Sequence, residues 1–196
     1  MQSEERKMFI AYHIEVTKCI PNRDLDYDPK YQYARGWNDH KNSVSVVSLV
    51  TENEWLTLCP EFYPEWRDEF LEFASRGRLV GFNNHQFDNK FLNRLKLKLT
   101  NTIDMLTEVR VSAFGSPFYT DQPAFKYNLG FIAKANGYQK TEEGSQAPKL
   151  WQDGHHDKVI EYCLNDTKII YALWHKFLAG ELIDPNTGAK LKPPSS

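Results

Sequence analysis

The sequence has 196 residues, of which 41% are hydrophobic, and its formal net charge is −2. This length predicts one domain over residues 1–196, and the 12 Phe, 10 Tyr and 5 Trp predict a substantial core. The net charge does not favour a protein that grips a long duplex through many phosphates. A shallow site for a short single-stranded end needs fewer cations, so the charge leaves that class open.

Cysteine usage and hydropathy point to a cytoplasmic protein with no membrane association. Cys19, Cys59 and Cys163 are scattered and form no CxxC pair, so neither a disulfide framework nor a structural zinc site is indicated. No apolar run approaches the roughly 20 residues of a membrane span. The first residues, MQSEERK, lack the apolar core of a signal peptide.

The order of periodic segments predicts an α/β fold, a mixed sheet flanked by helices. Strands are predicted at 8–16, 43–51, 55–59 and 79–82 from their β-branched and apolar runs. Helices are predicted at 64–77, 87–99, 103–111, 129–135 and 156–178 from their 3.6-residue period. Residues 112–127 are predicted to form a loop, and the tail after about residue 184 is predicted to be frayed.

The last predicted helix carries an acidic residue in the middle of its apolar face. Val159, Tyr162, Cys163, Asp166 and Ile170 follow the i, i+3, i+4 spacing of one face, which we expect to be buried. A buried carboxylate is costly unless it is paired or bound to a metal ion. Tyr162 precedes Asp166 by four residues, so the two side chains are neighbours. A structural salt bridge at the edge of the core is the alternative explanation.

Two further sites carry acidic residues. Asp88 falls in the first turn of a helix after a strand–loop junction, where it can also serve simply to complement the helix dipole. On the first strand, alternation places His13 and Glu15 on one face. A polar pair at a strand end would explain these two residues without any function.

Together these three sites resemble the motifs of the DEDD 3′→5′ exonucleases, in their tyrosine subclass. The first motif, Asp-x-Glu, corresponds to residues 13–15 (HIE), the second, Asn-x-x-x-Phe-Asp, to 83–88 (NNHQFD), and the third, Tyr-x-x-x-Asp, to 162–166 (YCLND). The segments YDPKYQYARGWNDHKN, APKLWQDG and VIEYCLNDTKIIYAL look like a bacterial and phage branch of predicted exonucleases. That branch is similar to the proofreading domain of family B DNA polymerases.

The resemblance implies a ribonuclease H-like fold and two divalent ions, Mg²⁺ or Mn²⁺, which prefer oxygen ligands. It implies that His13, Glu15, Asp88 and Asp166 face the metals, with Tyr162 orienting the attacking water. The catalytic set would then be Glu15, Asp88, Tyr162 and Asp166, acting on single-stranded DNA or RNA 3′ ends. Candidate substrate-binding residues, in and beside the second motif, are Asn84, Phe87 and Lys90. A solvated helix face is the alternative explanation for Lys90, Arg94, Lys96 and Lys98.

Position 13 departs from the family pattern, because the first motif normally begins with an aspartate that bridges both metals. One imidazole nitrogen can bind one ion, but a single imidazole cannot bridge two. Two function classes therefore stay open: a metal-dependent exonuclease impaired by His13, and a nucleic-acid-binding module that has lost catalysis. A protein-interaction domain on the same scaffold is a third, weaker alternative, and neither the protein partners nor the oligomeric state can be predicted from the sequence.

Overall fold

Strand β1 (Phe9–Val16) runs through the centre of a five-stranded sheet in the computed structural model, which describes residues 8–21, 27–36, 39–118, 127–140 and 144–193. The strand order is β3-β2-β1-β4-β5. β1 pairs antiparallel with β2 and parallel with β4, so the sheet is mixed as predicted. The other strands are β2 (Val44–Val50), β3 (Trp55–Leu58), β4 (Arg78–Gly81) and β5 (Ile103–Asp104).

Helices cover both faces of this sheet. They are α1 (Trp66–Ala74), α2 (Asp88–Arg94), α3 (Met105–Phe114), α4 (Leu129–Ala135), α5 (Ala147–Gln152) and α6 (His156–Leu178). A short antiparallel hairpin of β6 (Leu182–Ile183) and β7 (Lys190–Leu191) follows α6. Within the described ranges, no helix is both long enough and apolar enough to cross a membrane.

Alternation along β1 divides the core into two layers. Tyr12 and Ile14 are fully buried on one face, against Phe70 of α1 and Leu92 of α2. Ala11 points to the other face, where it joins the cluster built around α6. His13 and Glu15 share the face of Ala11, as the period of two residues predicts. The first strand therefore presents its polar pair to the side of the sheet on which α6 packs.

The structure differs from the predictions at several places. Helix α3 continues to Phe114, so residues 112–114 are helical rather than the start of the predicted loop, and residues 119–126 of that loop lie outside the described residues. Residues 103–104 form strand β5 rather than helix. Asp104 has an extended backbone and is the N-cap of α3, where its side chain accepts a hydrogen bond from the backbone N–H of Leu106. Helix α2 ends at Arg94 instead of 99, since Lys96 takes a left-handed conformation at φ 64°. Helix α5 was not predicted. The tail expected to fray pairs as β7, and buried Asp184 accepts a hydrogen bond from Tyr127 Oη at 3.0 Å.

Candidate active site

The first polar pair of the site lies on β1, at the centre of the sheet. Antiparallel pairing with β2 places His13 opposite Ser48 and Glu15 opposite Val46, and the register shifts between Glu15 and Val16. His13 Nε2 lies 3.2 Å from Glu15 Oε1, which shows that the two side chains point the same way. The described pairing of β1 with β4 ends at Ala11, so β2 is the strand that pairs with the part of β1 carrying His13 and Glu15.

Asp88 is the first residue of α2, and a hydrogen-bonded turn positions it. The turn from Asn83 to Phe87 begins with Asn83 at φ 57°. The carboxylate of Asp104 accepts hydrogen bonds from the backbone N–H groups of Asn83 at 2.9 Å and His85 at 3.2 Å. Asp88 Oδ1 in turn accepts from the backbone N–H of Ile14 at 3.0 Å, so this turn is tied directly to β1.

Helix α6 supplies Tyr162 and Asp166, one turn apart. Both are buried, at 3% and 0% exposure, in the apolar face that the 3.6-residue period predicted. The Cys163 thiol between them contacts the backbone oxygen of His13 at 3.5 Å, so the helix crosses directly over β1. Burial raises the pKa of the Tyr162 hydroxyl, as do the nearby carboxylates of Glu15 and Asp166, and the phenol stays protonated at neutral pH.

One cleft joins these three elements. Its volume is about 360 Å³, and all five expected metal and catalytic residues line it: His13, Glu15, Asp88, Tyr162 and Asp166. Apolar and basic side chains complete its walls, including Phe82, Leu106, Arg110 and Lys140. Residues that are 153 positions apart in sequence thus border the same space, because the sheet centre, the α2 N-terminus and the α6 face meet there.

The His13 ring stands between two carboxylates. Nδ1 lies 3.1 Å from Asp88 Oδ1, and Nε2 lies 3.2 Å from Glu15 Oε1. Burial by itself would lower the pKa of His13, but the charge of Asp88 and hydrogen bonds to Asp88 and Glu15 outweigh it and raise the pKa to about 10. The imidazole is therefore a cation at neutral pH, with both nitrogens protonated and donating. In that state neither nitrogen has a lone pair for a metal ion.

A second cation, Lys140, enters the cleft from the segment after α4. Its Nζ lies 2.7 Å from Asp166 Oδ2 and donates to Tyr162 Oη at 2.7 Å. No sequence pattern marks Lys140 as a site residue, because it stands in a polar stretch with no periodicity and no motif. Arg110 was missed for a related reason: it lies within α3, and nothing in the local pattern shows that its helix borders the cleft.

The carboxylates retain unused acceptor capacity. Asp88 Oδ2 and Asp166 Oδ1 are buried and meet no well-aligned donor in the described residues. Buried acceptors without a donor are unusual and suit a cation that supplies the missing interaction. Within the same residues, however, no three His, Cys, Asp or Glu side chains gather closely enough to hold one ion. The carboxylate oxygens are ligands that suit hard divalent ions. His13 pairs with Glu15 and Asp88, however, and Lys140 pairs with Asp166, so these cations occupy carboxylates that a metal ion would need.

The three candidate substrate-binding residues lie in different environments. Phe87 lines the cleft and is 7% exposed. Asn84 is fully buried, donates a hydrogen bond to the hydroxyl of Tyr12, and does not line the cleft. Lys90 is exposed, donates to Gln86 Oε1 at 2.9 Å and lies outside the cleft lining. Of these three residues, Phe87 is the one whose position in the cleft lining allows direct contact with a substrate.

Comparison with known proteins gives a structural match. No protein-family model matches the sequence, and no curated protein does. A solved family B DNA polymerase from the hyperthermophilic archaeon Pyrobaculum calidifontis is similar over 93% of this chain, with a TM-score of 0.53 and 16% identity. The chain spans only 26% of that polymerase. At 16% identity the match is evidence for the fold alone. The chain has an α/β, ribonuclease H-like fold, a mixed sheet flanked by helices.

Proposed function

We propose that this protein is a metal-dependent 3′→5′ exonuclease that hydrolyses phosphodiester bonds at single-stranded ends, with DNA as the preferred substrate and RNA as the alternative. One observation carries the proposal. Glu15, Asp88, Tyr162 and Asp166 come from three separate elements and line the same cleft. The unused acceptors on Asp88 and Asp166 support a cationic ligand there. The wider resemblance of the three motifs supports the tyrosine subclass of DEDD nucleases.

Each residue has a role that follows from its chemistry. Glu15 and Asp166 would hold one divalent ion and Asp88 a second, and two such ions stabilise charge on the attacking and leaving oxygens of a phosphodiester. The Tyr162 hydroxyl, whose pKa is raised by burial and by the carboxylates of Glu15 and Asp166, would orient a water molecule by a hydrogen bond. Phe87 offers an aromatic wall to the terminal nucleotide. His13 neutralises the carboxylates and so weakens the metal site.

A labelled-oligonucleotide digestion tests the proposal. We expect a single-stranded DNA with a 5′ label to shorten stepwise from its 3′ end when Mn²⁺ or Mg²⁺ is present, and to remain intact in chelator. His13→Asp should cleave about 100-fold faster or more, because several kcal/mol of metal stabilisation are at stake and each 1.36 kcal/mol is a tenfold rate. Asp166→Asn is the inactive control. The absence of cleavage by His13→Asp with either ion would contradict the proposal.

A nucleic-acid-binding module without catalysis is the second candidate. The observation that favours it is the occupation of the carboxylates by the protein's own cations: His13 pairs with Glu15 and Asp88, and Lys140 pairs with Asp166. Such a module would bind a single-stranded oligonucleotide equally well in chelator and in Mn²⁺. An exonuclease of the proposed kind would bind the same oligonucleotide more tightly when a non-cleaving divalent ion such as Ca²⁺ is added.

Cellular location and domain organisation belong to the same proposal. All three cysteines are free thiols, which supports a reducing compartment such as the cytoplasm. The organisation of residues 1–196 as one domain stays a prediction of chain length.

A further inference from the structure

Lys140 makes the closest ion pair in the cleft. Its ammonium lies 2.7 Å from Asp166 Oδ2 and 5.1 Å from the centre of the Tyr162 ring. The carbon stem passes over α4, where a Cβ added to Gly130 would lie 3.7 Å from Lys140 Cδ. The lysine therefore reaches Asp166 across the surface of a helix, and its position depends on the fold rather than on the local sequence.

The two partners of this pair differ in freedom. The Asp166 side chain is 1% exposed and projects from the middle of the long helix α6, so it cannot leave the cleft. The Lys140 side chain is 22% exposed, and its ammonium ends a flexible four-carbon stem. Withdrawal of the ammonium into solvent would leave a buried carboxylate whose Oδ1 already meets no well-aligned donor in the described part of the chain.

We propose that Lys140 competes with the divalent cation for Asp166, so that metal enters this half of the site only as the ammonium withdraws. The inference rests on the proposed metal-dependent function. A metal ion on the Asp166 carboxylate would lie beside the ammonium, and two cations in a partly water-excluded cleft repel each other strongly. Asp166 can satisfy its charge with either cation, and the tethered lysine holds it whenever metal is scarce.

Isothermal titration with Mn²⁺ alone tests the competition without requiring activity. Lys140→Met keeps a stem that can pack beside Gly130 but removes the charge. We expect it to bind Mn²⁺ at least about tenfold more tightly than the wild type, a difference of 1.4 kcal/mol or more. Lys134→Met is the matched control, because Lys134 is an exposed residue of α4 and its loss changes the net charge equally. We expect Lys134→Met to keep the wild-type affinity.

A second measurement uses the wild-type protein and holds even if Lys140→Met fails to fold. An amine-reactive reagent followed by mass spectrometry gives the modification rate of each lysine, and saturating Mn²⁺ should accelerate Lys140 while leaving Lys134 unchanged. An unchanged rate at Lys140 overturns the competition, as does equal or weaker Mn²⁺ affinity in a folded Lys140→Met. Neither of these results contradicts the proposed exonuclease activity. A failure of wild type, Lys140→Met and His13→Asp to bind Mn²⁺ contradicts the metal site itself, and the competition with it.

Discussion

In the wild type, His13 and Lys140 neutralise the carboxylates of the cleft. Replacement of His13 by aspartate should make the stability of the protein depend on a bound metal ion. In the wild type the imidazolium lies 3.1 Å from Asp88 and 3.2 Å from Glu15. The pKa of His13 is raised from 6.5 to about 10, so the folded state holds the proton above the pKa of the unfolded chain. The interval from pH 7 to that folded value, at about 1.36 kcal/mol per pH unit, gives up to about 4 kcal/mol of stability at pH 7.

His13→Asp removes this attraction and adds a fourth carboxylate beside Glu15, Asp88 and Asp166. We expect the free energy of unfolding in chelator to fall by roughly 3 to 5 kcal/mol, a large part of the 5–15 kcal/mol of a typical domain. Mn²⁺ at about 100 times its dissociation constant should restore about 2.7 kcal/mol to the variant. The wild type should gain less, because its carboxylates are already paired with cations.

Urea unfolding followed by tryptophan fluorescence, at pH 7 and low salt, measures both effects. Each protein is unfolded in chelator and in a series of Mn²⁺ concentrations. His40→Asp is the matched control, since His40 is exposed and the change in composition is the same. Identical midpoints for wild type and His13→Asp in chelator would refute the ion-pair reasoning. An equal stabilisation of both proteins by Mn²⁺ would refute the claim that His13 weakens metal binding.

Two further predictions concern the pH dependence of stability and the close approach of Asn84 to Gly81. Between pH 7 and 9 the wild-type free energy of unfolding should fall by about 1.4 kcal/mol per pH unit, because the unfolded chain loses the His13 proton near 6.5 while the folded protein keeps it to about 10. His13→Asn should lack this slope in urea titrations, and parallel slopes would exclude the assigned pKa. Gly81→Ala should cost about 1–3 kcal/mol, because the new Cβ would lie 2.6 Å from Asn84 Cβ. Gly130→Ala meets ordinary contacts and should be neutral or stabilising, so equal costs in thermal unfolding would contradict the close approach at Gly81.

The elements that the sequence predicted well are those whose signal is local. The apolar period over residues 156–178 predicts α6 with the bounds that the structure has, and it places Tyr162 and Asp166 on the buried face. Alternation along β1 likewise places His13 and Glu15 together. These patterns succeed because burial of one face imposes a fixed period on the residues that form it.

Short elements were missed because packing rather than propensity determines them. β5 has two residues, and its extended conformation depends on pairing with β4 and on the turn that Asp104 holds by hydrogen bonds. The β6–β7 hairpin likewise depends on the buried Asp184. In both places a local period is too short to be read, and contacts with distant residues decide the conformation.

Residue types and their spacing were enough to predict which side chains could bind a metal ion and on which faces of their elements they lie. The way in which their charges are satisfied depends on the folded arrangement. The His13 ring lies between Glu15 and Asp88, and Lys140 pairs with Asp166 from a segment that carries no motif. An ion pair forms only where two charged side chains approach within about 4 Å, and the fold brings together residues whose separation in sequence does not predict that approach.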